Sequence, residues 1–436
     1  MVMRIAKRTL SAITALSIIF SSTDLANSAG VKADASCSKK GATQIVGNKR
    51  YTCISNGKKL VWNSGVMVKS NKALPTQKPT SVPIPDPASN STPSATPSPI
   101  IKKVFVSAEQ AEVNKSCNLI GEEAFTLQGP VVCENEVWKV AARDYSIRSL
   151  AFHRILDHWN KQSDVNLKLK INADSSAGSW VKQIEDGIKV GAKFWGTSSS
   201  SSPALPVFIS DNHLYIENEL AKEGILQTPQ DKVRNAEAKG GQAGFHGSFD
   251  SPNMYMDFLF KNDRDRKDVG FWGVGPHEYT HFAQSVQTKG IWLPVNRLVW
   301  LPEGMATYIS AALGPMYDMP RNQMSYWESN AKGELTPLTF FIGEDQNIYN
   351  HRGWSAVYSS GSIASEAIVA LIGIEAVTNI WTDIGKGMTN EQVYKKNLGL
   401  DGRTLSAFFE EYVQSVRDGK RWSLTQLQSK YESLKK

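Results

Sequence analysis

A stretch rich in Pro, Ser and Thr, residues 69–103, limits how this chain can fold. Eight of the 19 prolines fall between Pro75 and Pro99, and the stretch has almost nothing that a core could bury. Such a segment cannot offset the conformational entropy lost on ordering, so we expect an extended, solvated linker. The chain therefore divides into a short front part and a long region behind the linker.

Charge is distributed unevenly between these parts. Residues 1–140 contain 17 Lys and Arg against 9 Asp and Glu, whereas the remaining residues contain 32 against 33. A basic front part indicates a solvated or surface-seeking N-terminus, and the near-neutral remainder argues against nucleic-acid binding by the main region. The composition, 41% hydrophobic and 21% charged, is globular and excludes wholesale disorder.

Residues 1–35 have the layout of a secretory signal peptide. Arg4, Lys7 and Arg8 precede an apolar stretch, and small residues follow it, with several possible cleavage positions up to Ala35. The apolar stretch is too short to span a bilayer, and no uninterrupted apolar run in the chain reaches the roughly 18 residues a span requires. We therefore expect a secreted or cell-surface-associated protein without a transmembrane span.

The four cysteines form two similar pairs. Fifteen residues separate Cys37 from Cys53, and the same number separates Cys117 from Cys133. Export favours disulfides, so we expect two duplicated modules, each closed by its own disulfide, because cores this small need a covalent link. Pairing between the modules is the alternative. The expected module boundaries are 36–68 and 104–140.

Residues 141–436 run without another linker, which is enough for a large core or two lobes around a cleft. Apolar spacing predicts strands early and helices mostly late, which favours an α+β fold. The predicted helices cover 147–159, 180–195, 276–288, 302–313, 355–371, 374–384 and 405–417. The predicted strands cover 205–210 and 254–260, and the predicted loops cover 198–202 and 240–247.

The strongest chemical signature lies in the helix predicted over 276–288, where His277, Glu278 and His281 form the pattern H-E-x-x-H. Side chains at i and i+4 lie one turn apart on one helix face, so both imidazoles can reach one Zn²⁺. Glu278 lies beside them and can act as general base on a water at the metal. A histidine pair that only packs or faces solvent is the alternative.

A zinc site of this kind needs a third protein ligand, and Glu303 is the candidate. It follows Pro302, which suits the first turn of a helix, and it lies among the apolar residues Leu301, Met305 and Ala306. A buried carboxylate without a partner is very costly, and zinc would be that partner. A capping or salt-bridging glutamate is the alternative.

H-E-x-x-H at 277–281, followed by W-L-P-E-G-M-A at 300–306, is similar to the motifs of the gluzincin metallopeptidases, the clan that contains thermolysin and the zinc aminopeptidases. The resemblance implies a two-lobed zincin-like domain, with a mixed-sheet lobe, a helical lobe and zinc between them. The zinc ligands that it implies are His277, His281 and Glu303, and the implied base is Glu278.

Further features follow from the same resemblance. The edge strand of the sheet aligns the substrate backbone in this clan, and residues 254–260 are its candidate here. A Tyr or His beyond the third ligand donates to the oxyanion, which implies Tyr358, in Y-S-S-G-S, or alternatively His351. Tyr358 as an aromatic residue packed at a helix start is the other interpretation. Thr307 departs from thermolysin-like members, which place there an Asp that orients a histidine.

The sequence therefore predicts a secreted zinc metallopeptidase with one catalytic domain over 141–436, whose substrates are peptides or proteins. The basic modules are expected to contact a cell wall or another anionic surface. A non-catalytic surface-binding module on the same scaffold, or a zinc amidase acting on cell-wall peptides, are the alternatives. We expect no catalytic role for the remaining histidines, which are His153, His158, His213 and His246.

Overall fold

The computed structural model describes residues 18–19, 36, 40, 43–46, 49–56, 59–64, 66–67, 111–118, 120–197, 204–227, 242–247, 251–260, 273–291, 297–317, 324, 328, 336–343 and 355–436. The chain divides into two compact units, Ser22–Pro99 and Met1–Ser21 together with Ile100–Lys436. The larger unit includes the short strand β1 (Ile18–Ile19). The predicted linker, and the predicted signal peptide apart from β1, lie outside the described residues.

The first cysteine module is an antiparallel sheet. Its strands are β2 (Thr43–Val46), β3 (Lys49–Asn56), β4 (Lys59–Trp62) and β5 (Val66–Met67). The first three form a meander, and β5 pairs with the start of β3. Cys53 lies opposite Trp62 and is disulfide-bonded, whereas Cys37 lies outside the described residues.

The second cysteine module repeats the three-strand meander of the first. Its strands are β6 (Glu123–Thr126), β7 (Gly129–Glu134) and β8 (Val137–Val140). Cys133 lies opposite Trp138, and in both modules the residue before the first cysteine bridges to the residue before the tryptophan. Cys117 and Cys133 form the predicted disulfide, with Cα atoms 5.8 Å apart. Cross-pairing of these two with the first module is therefore excluded.

The second module packs on helix α1 (Ile147–Lys161). Phe125 stacks on Phe152, with ring centroids 4.1 Å apart. The Glu123 carboxylate accepts hydrogen bonds from Ser146 Oγ at 2.5 Å and Ser149 Oγ at 3.0 Å. Ser146 is also the N-cap of α1, so the module is bonded to the residue that starts the helix.

The main sheet combines β1 with four further strands, in the order β1–β11–β12–β10–β9. Those strands are β9 (Leu169–Ala173), β10 (Leu205–Ser210), β11 (Gln242–His246) and β12 (Tyr255–Leu259). β9, β10 and β12 are parallel, whereas β11 runs antiparallel to β12, and β1 antiparallel to β11. β10 reads as a continuous apolar run because both faces of the sheet are covered.

Two predictions about this sheet are wrong. Residues 240–247, predicted as a loop, contain the strand β11. Its extended structure is set by pairing with β12, and the glycine-containing sequence gives little local sign of a strand. Residues 254–260, the candidate edge strand, form β12 inside the sheet, between β11 and β10. β11 lies on one side of β12, and the parallel strands β10 and β9 lie on the other side.

The other α-helices in the described ranges are α2 (Trp180–Trp195), α3 (His213–Lys222), α4 (Val274–Gln287), α5 (Trp300–Ala312), α6 (Ser355–Ile372), α7 (Ile374–Gly385), α8 (Asn390–Leu398), α9 (Gly402–Arg417) and α10 (Leu424–Leu434). One hydrophobic core joins one sheet face to the helices, and a smaller cluster lies under α3. The predicted combination of helices and sheets is confirmed. The helix boundaries agree with the prediction to within a few residues, but β9, α3, α8 and α10 were missed.

Three buried charged groups, Arg148, Glu328 and Glu366, and the partly buried Arg421 link distant parts of the larger unit. Arg148 Nε donates to Glu366 Oε2 at 2.9 Å, and Arg421 Nη1 donates to Glu366 Oε1 at 2.8 Å. Both arginines also pair with Glu328. Each carboxylate therefore has two guanidinium partners, which offsets the cost of burying it.

No single helix in the described part of the chain is long and apolar enough to cross a membrane. Only α6 from Val357 onward and α7 meet that criterion together, and this pair is bent by 105°.

Candidate metal centre

Helix α4 carries the H-E-x-x-H residues through the middle of the core. Pro276 lies in its first turn, where a backbone N–H has no partner within the helix, so the proline neither kinks nor breaks it. Packing against α2 is close because α2 has glycines at the contact: a Cβ on Gly187 would lie 2.8 Å from Pro276 Cδ, and one on Gly191 3.0 Å from Tyr279 Cβ. Helix α4 also contacts α5, α7 and β11.

The structure brings together the three predicted metal ligands. His277 Nε2 and His281 Nε2 are 3.1 Å apart, and Glu303 Oε2 lies 3.2 Å from His281 Nε2 and 3.4 Å from His277 Nε2. All three side chains are buried. Within the described residues they are the only group of three or more His, Cys, Asp or Glu side chains able to hold a metal ion.

These distances fit a tetrahedral metal ion. Zinc binds imidazole nitrogen and carboxylate oxygen at about 2.0–2.2 Å, so two such ligands at a tetrahedral angle lie roughly 3.3–3.5 Å apart. The three observed separations are close to this value. The donor set, two nitrogens and one oxygen, is also the one that zinc accepts with a position left for water.

The charges of the three ligands compensate one another. Burial would raise the pKa of the Glu303 carboxyl, but His281 and His277 outweigh burial and hold that pKa at about 2. Burial would lower the pKa of His281, but Glu303 raises it to about 9. Burial lowers the pKa of His277 to about 4. These shifts favour an ion pair between Glu303 and His281 beside a neutral His277, and a divalent cation would take the place of the proton between the ligands.

Glu278 is fixed by the sheet. Its Oε2 accepts a hydrogen bond from the backbone N–H of Phe245, on β11, at 2.8 Å. Its Oε1 is buried and has no hydrogen-bond partner among the described residues. Burial, together with the charges of Glu303 and Asp257, raises the pKa of the Glu278 carboxyl to about 8, although His281 and the Phe245 N–H oppose the rise. One oxygen is thus anchored, and the other is free to exchange a proton.

Two further residues contact the outer nitrogens of the histidines. Gln284 Oε1 lies 3.0 Å from His281 Nδ1, and Thr307 Oγ1 lies 3.4 Å from His277 Nδ1. From the sequence, Thr307 was identified only as a departure from thermolysin-like members, and Gln284 was not predicted. Gln284 is three positions after His281, and i+3 spacing places both on one helix face, so this signal was present in the sequence.

Tyr358, the predicted oxyanion donor, lies beside the ligand group. Its ring centroid is 6.0 Å from that of His277, and the side chain is buried. It lies near the start of α6, which crosses α5 closely. The alternative donor, His351, lies outside the described residues.

Two of the remaining histidines make other polar contacts. His246 Nε2 is 3.0 Å from Asp257 Oδ1, and the His246 ring stacks on Tyr255. His158 Nε2 is 2.9 Å from the carbonyl oxygen of Phe194.

Comparisons with family models, with characterised proteins and with solved structures found no match to this chain. The chemistry of the site therefore has to be argued from its own geometry, which is that of two imidazoles and a carboxylate around one point, with a second carboxylate beside it.

Proposed function

We propose that this chain is a secreted zinc metallopeptidase of the gluzincin type, with two lobes about the metal. The observation that carries the proposal is the ligand group: His277, His281 and Glu303 place three donor atoms 3.1–3.4 Å apart in a buried site. Glu278 adds a carboxylate whose position suits a general base. The resemblance of the two sequence motifs to gluzincins supports the same assignment.

A bound zinc ion supplies Lewis-acid chemistry, because it polarises a carbonyl and makes water more acidic. The protein's own part begins at Glu278. Its Oε1 takes a proton from the attacking water, while the Phe245 N–H holds Oε2 in place. Glu278 then gives that proton to the departing amine, and the peptide bond breaks. The phenol of Tyr358 donates to the oxygen that becomes negative.

The sheet offers a place for the substrate backbone. β11 is the strand that contacts Glu278, so it replaces 254–260 as the candidate for aligning a peptide. β1 pairs with β11 as an extended antiparallel segment, with Ile18 opposite Ala243 and Ile19 opposite Gln242. An extended peptide bound in the same manner would gain main-chain hydrogen bonds close to the general base.

Location follows from the front part of the chain. The signal-peptide layout of residues 1–35 and the disulfide between Cys117 and Cys133 both favour an oxidising, extracytoplasmic setting. We propose that the basic modules contact a cell wall or another anionic surface, and that peptides or proteins are the substrates.

Metal analysis of the purified full chain tests the proposal, together with a protease assay on a peptide library. We expect about one zinc per chain, which His281→Ala loses and the control His213→Ala retains. Glu278→Gln should keep zinc and lower turnover by about 10²–10⁴-fold, because only the proton carrier is lost. A chain that binds no zinc refutes the assignment. Zinc binding without any cleavage would favour the non-catalytic binding module.

A further inference from the structure

We infer that Gln284 is a positioning residue that fixes the tautomer of His281 and joins it to the helix of the third ligand. The inference rests on the proposed function, since it concerns the residues that would hold the metal. It goes beyond the three ligands and the base, and it is carried by two hydrogen bonds of one buried side chain.

The first bond fixes the orientation of the Gln284 amide. Gln284 Nε2 lies 3.2 Å from the carbonyl oxygen of Pro302, in the first turn of α5. A carbonyl oxygen can only accept a hydrogen bond, so the amide NH₂ must face Pro302. The amide oxygen must then point the other way, and it lies 3.0 Å from His281 Nδ1.

The second bond fixes the histidine. An amide oxygen can only accept, so His281 Nδ1 must carry the hydrogen and donate it. A neutral His281 then has its lone pair on Nε2, the atom that faces His277 Nε2 and Glu303 Oε2. The wrong tautomer would present an N–H to the metal position. Gln284 thus selects the form of His281 that can bind a cation.

The same side chain ties two ligands together. His281 is on α4, and Pro302 directly precedes Glu303 on α5, so Gln284 bridges the helices that supply the nitrogen and oxygen donors. The corresponding contact of His277 is longer: Thr307 Oγ1, on α5, is 3.4 Å from His277 Nδ1 and donates its own hydrogen to the Glu303 carbonyl at 2.8 Å. The Gln284 bond is the shorter of the two outer contacts.

The test compares zinc affinity and thermal stability in variants of the full chain. Gln284→Met keeps the length but removes both hydrogen bonds, and Gln284→Glu keeps an acceptor for His281 while losing the bond to Pro302. We expect Gln284→Met to bind zinc about 10–100-fold more weakly, by competition with a chromophoric chelator, and Gln284→Glu to lose clearly less. Gln287→Met is the matched control, since Gln287 is on the same helix and has no hydrogen bond to the three ligands among the described contacts.

A purely structural role predicts something different. The two Gln284 variants would then lose zinc affinity equally, and in proportion to the fall in melting temperature of the zinc-free protein. That result would overturn the inference, and so would zinc affinity within about twofold of wild type in Gln284→Met, well short of the usual outer-contact loss. If Gln284→Met does not fold, Gln284→Glu alone decides the test. A loss of zinc affinity in Gln284→Glu as large as that in His281→Ala would then refute the inference. Failure of the wild type to bind zinc refutes the proposed function instead.

Discussion

The contact between Gly304 and Gly361 leads to a prediction about both stability and catalysis. Gly304 directly follows Glu303 on α5, and Gly361 is three positions after Tyr358 on α6. A Cβ built on Gly304 would lie 2.3 Å from the Gly361 carbonyl carbon and 2.4 Å from its oxygen. Ordinary contacts between such atoms are about 3.5 Å, so Gly304→Ala would be short by roughly 1 Å. The atoms it meets are backbone, and no side chain can rotate away.

Helices α5 and α6 must therefore separate, and the free-energy cost of separating them can be compared between two variants. Overpacking of this kind lowers the free energy of unfolding by about 3 kcal/mol, whereas replacing glycine by alanine in a helix raises it by about 1 kcal/mol. Gly304→Ala should therefore lower the free energy of unfolding by roughly 2 kcal/mol. The reverse variant, Gly361→Ala, is milder, because its Cβ would lie 2.8 Å from the Trp300 oxygen and 3.0 Å from Gly304 Cα. We expect a fall in melting temperature of about 5 °C or more for Gly304→Ala and a smaller one for Gly361→Ala.

The fall in kcat of Gly304→Ala should be larger than the loss of folded protein alone would cause. A separation of about 1 Å would carry Tyr358 away from His277, and a displacement of that size can cost on the order of 10²-fold in kcat. Calorimetry and steady-state kinetics at saturating zinc measure the two effects. If Gly304→Ala proves as stable as wild type, or less perturbed than Gly361→Ala, the close helix contact does not have the role assigned to it.

Three further predictions concern single side chains. Tyr358→Phe should lower kcat by about 10²–10³-fold with little change in KM or melting temperature, and an unchanged kcat would remove Tyr358 from the mechanism. Arg148→Met should destabilise the chain by about 3–5 kcal/mol in urea unfolding, because it leaves two buried carboxylates with Arg421 as their shared partner, and a neutral effect would contradict this. Asn397, Lys396 and Lys386 hold the pKa of Asp383 at about 2, so the stability from its charge is present above about pH 4 and lost as the pH falls towards 2. Asp383→Asn should reduce the loss of unfolding free energy at acid pH by about 1 kcal/mol. The figure is modest because both lysines are largely exposed. An identical pH dependence of stability in the variant would refute the prediction.

The sequence was most informative where the relevant residues are close along the chain. His277 and His281 are one turn apart, so their convergence follows from helix geometry alone. The duplicated modules were visible in cysteine spacing, and the Cys117–Cys133 bond and the matching strand registers agree with it. Glu303 was inferred from the apolar residues around it, since a buried carboxylate needs a partner.

Contacts between residues far apart along the chain could not be predicted from local sequence patterns. Arg148 and Glu366 are 218 residues apart, and nothing in either local pattern indicates that they meet. The order of strands in the sheet is likewise a property of the whole fold, which is why residues 254–260 were assigned to an edge. The contact from the Phe245 N–H to Glu278 could not be anticipated once β11 was taken as a loop.

The candidate site depends on three separate links between rigid elements, and each link should control a different property. Gln284 joins α4 to α5 and so affects the metal ligands. The Gly304–Gly361 contact joins α5 to α6 and so affects Tyr358. The Phe245 N–H joins β11 to α4 and so affects Glu278. Because helices and strands rather than loops supply these links, the geometry should be held within narrow limits. Variants of Gln284 should then change zinc affinity most, whereas Gly304→Ala should change kcat most at saturating zinc. If both classes of variant lowered the two quantities in parallel, the site would respond as one unit and the three links would not be separable.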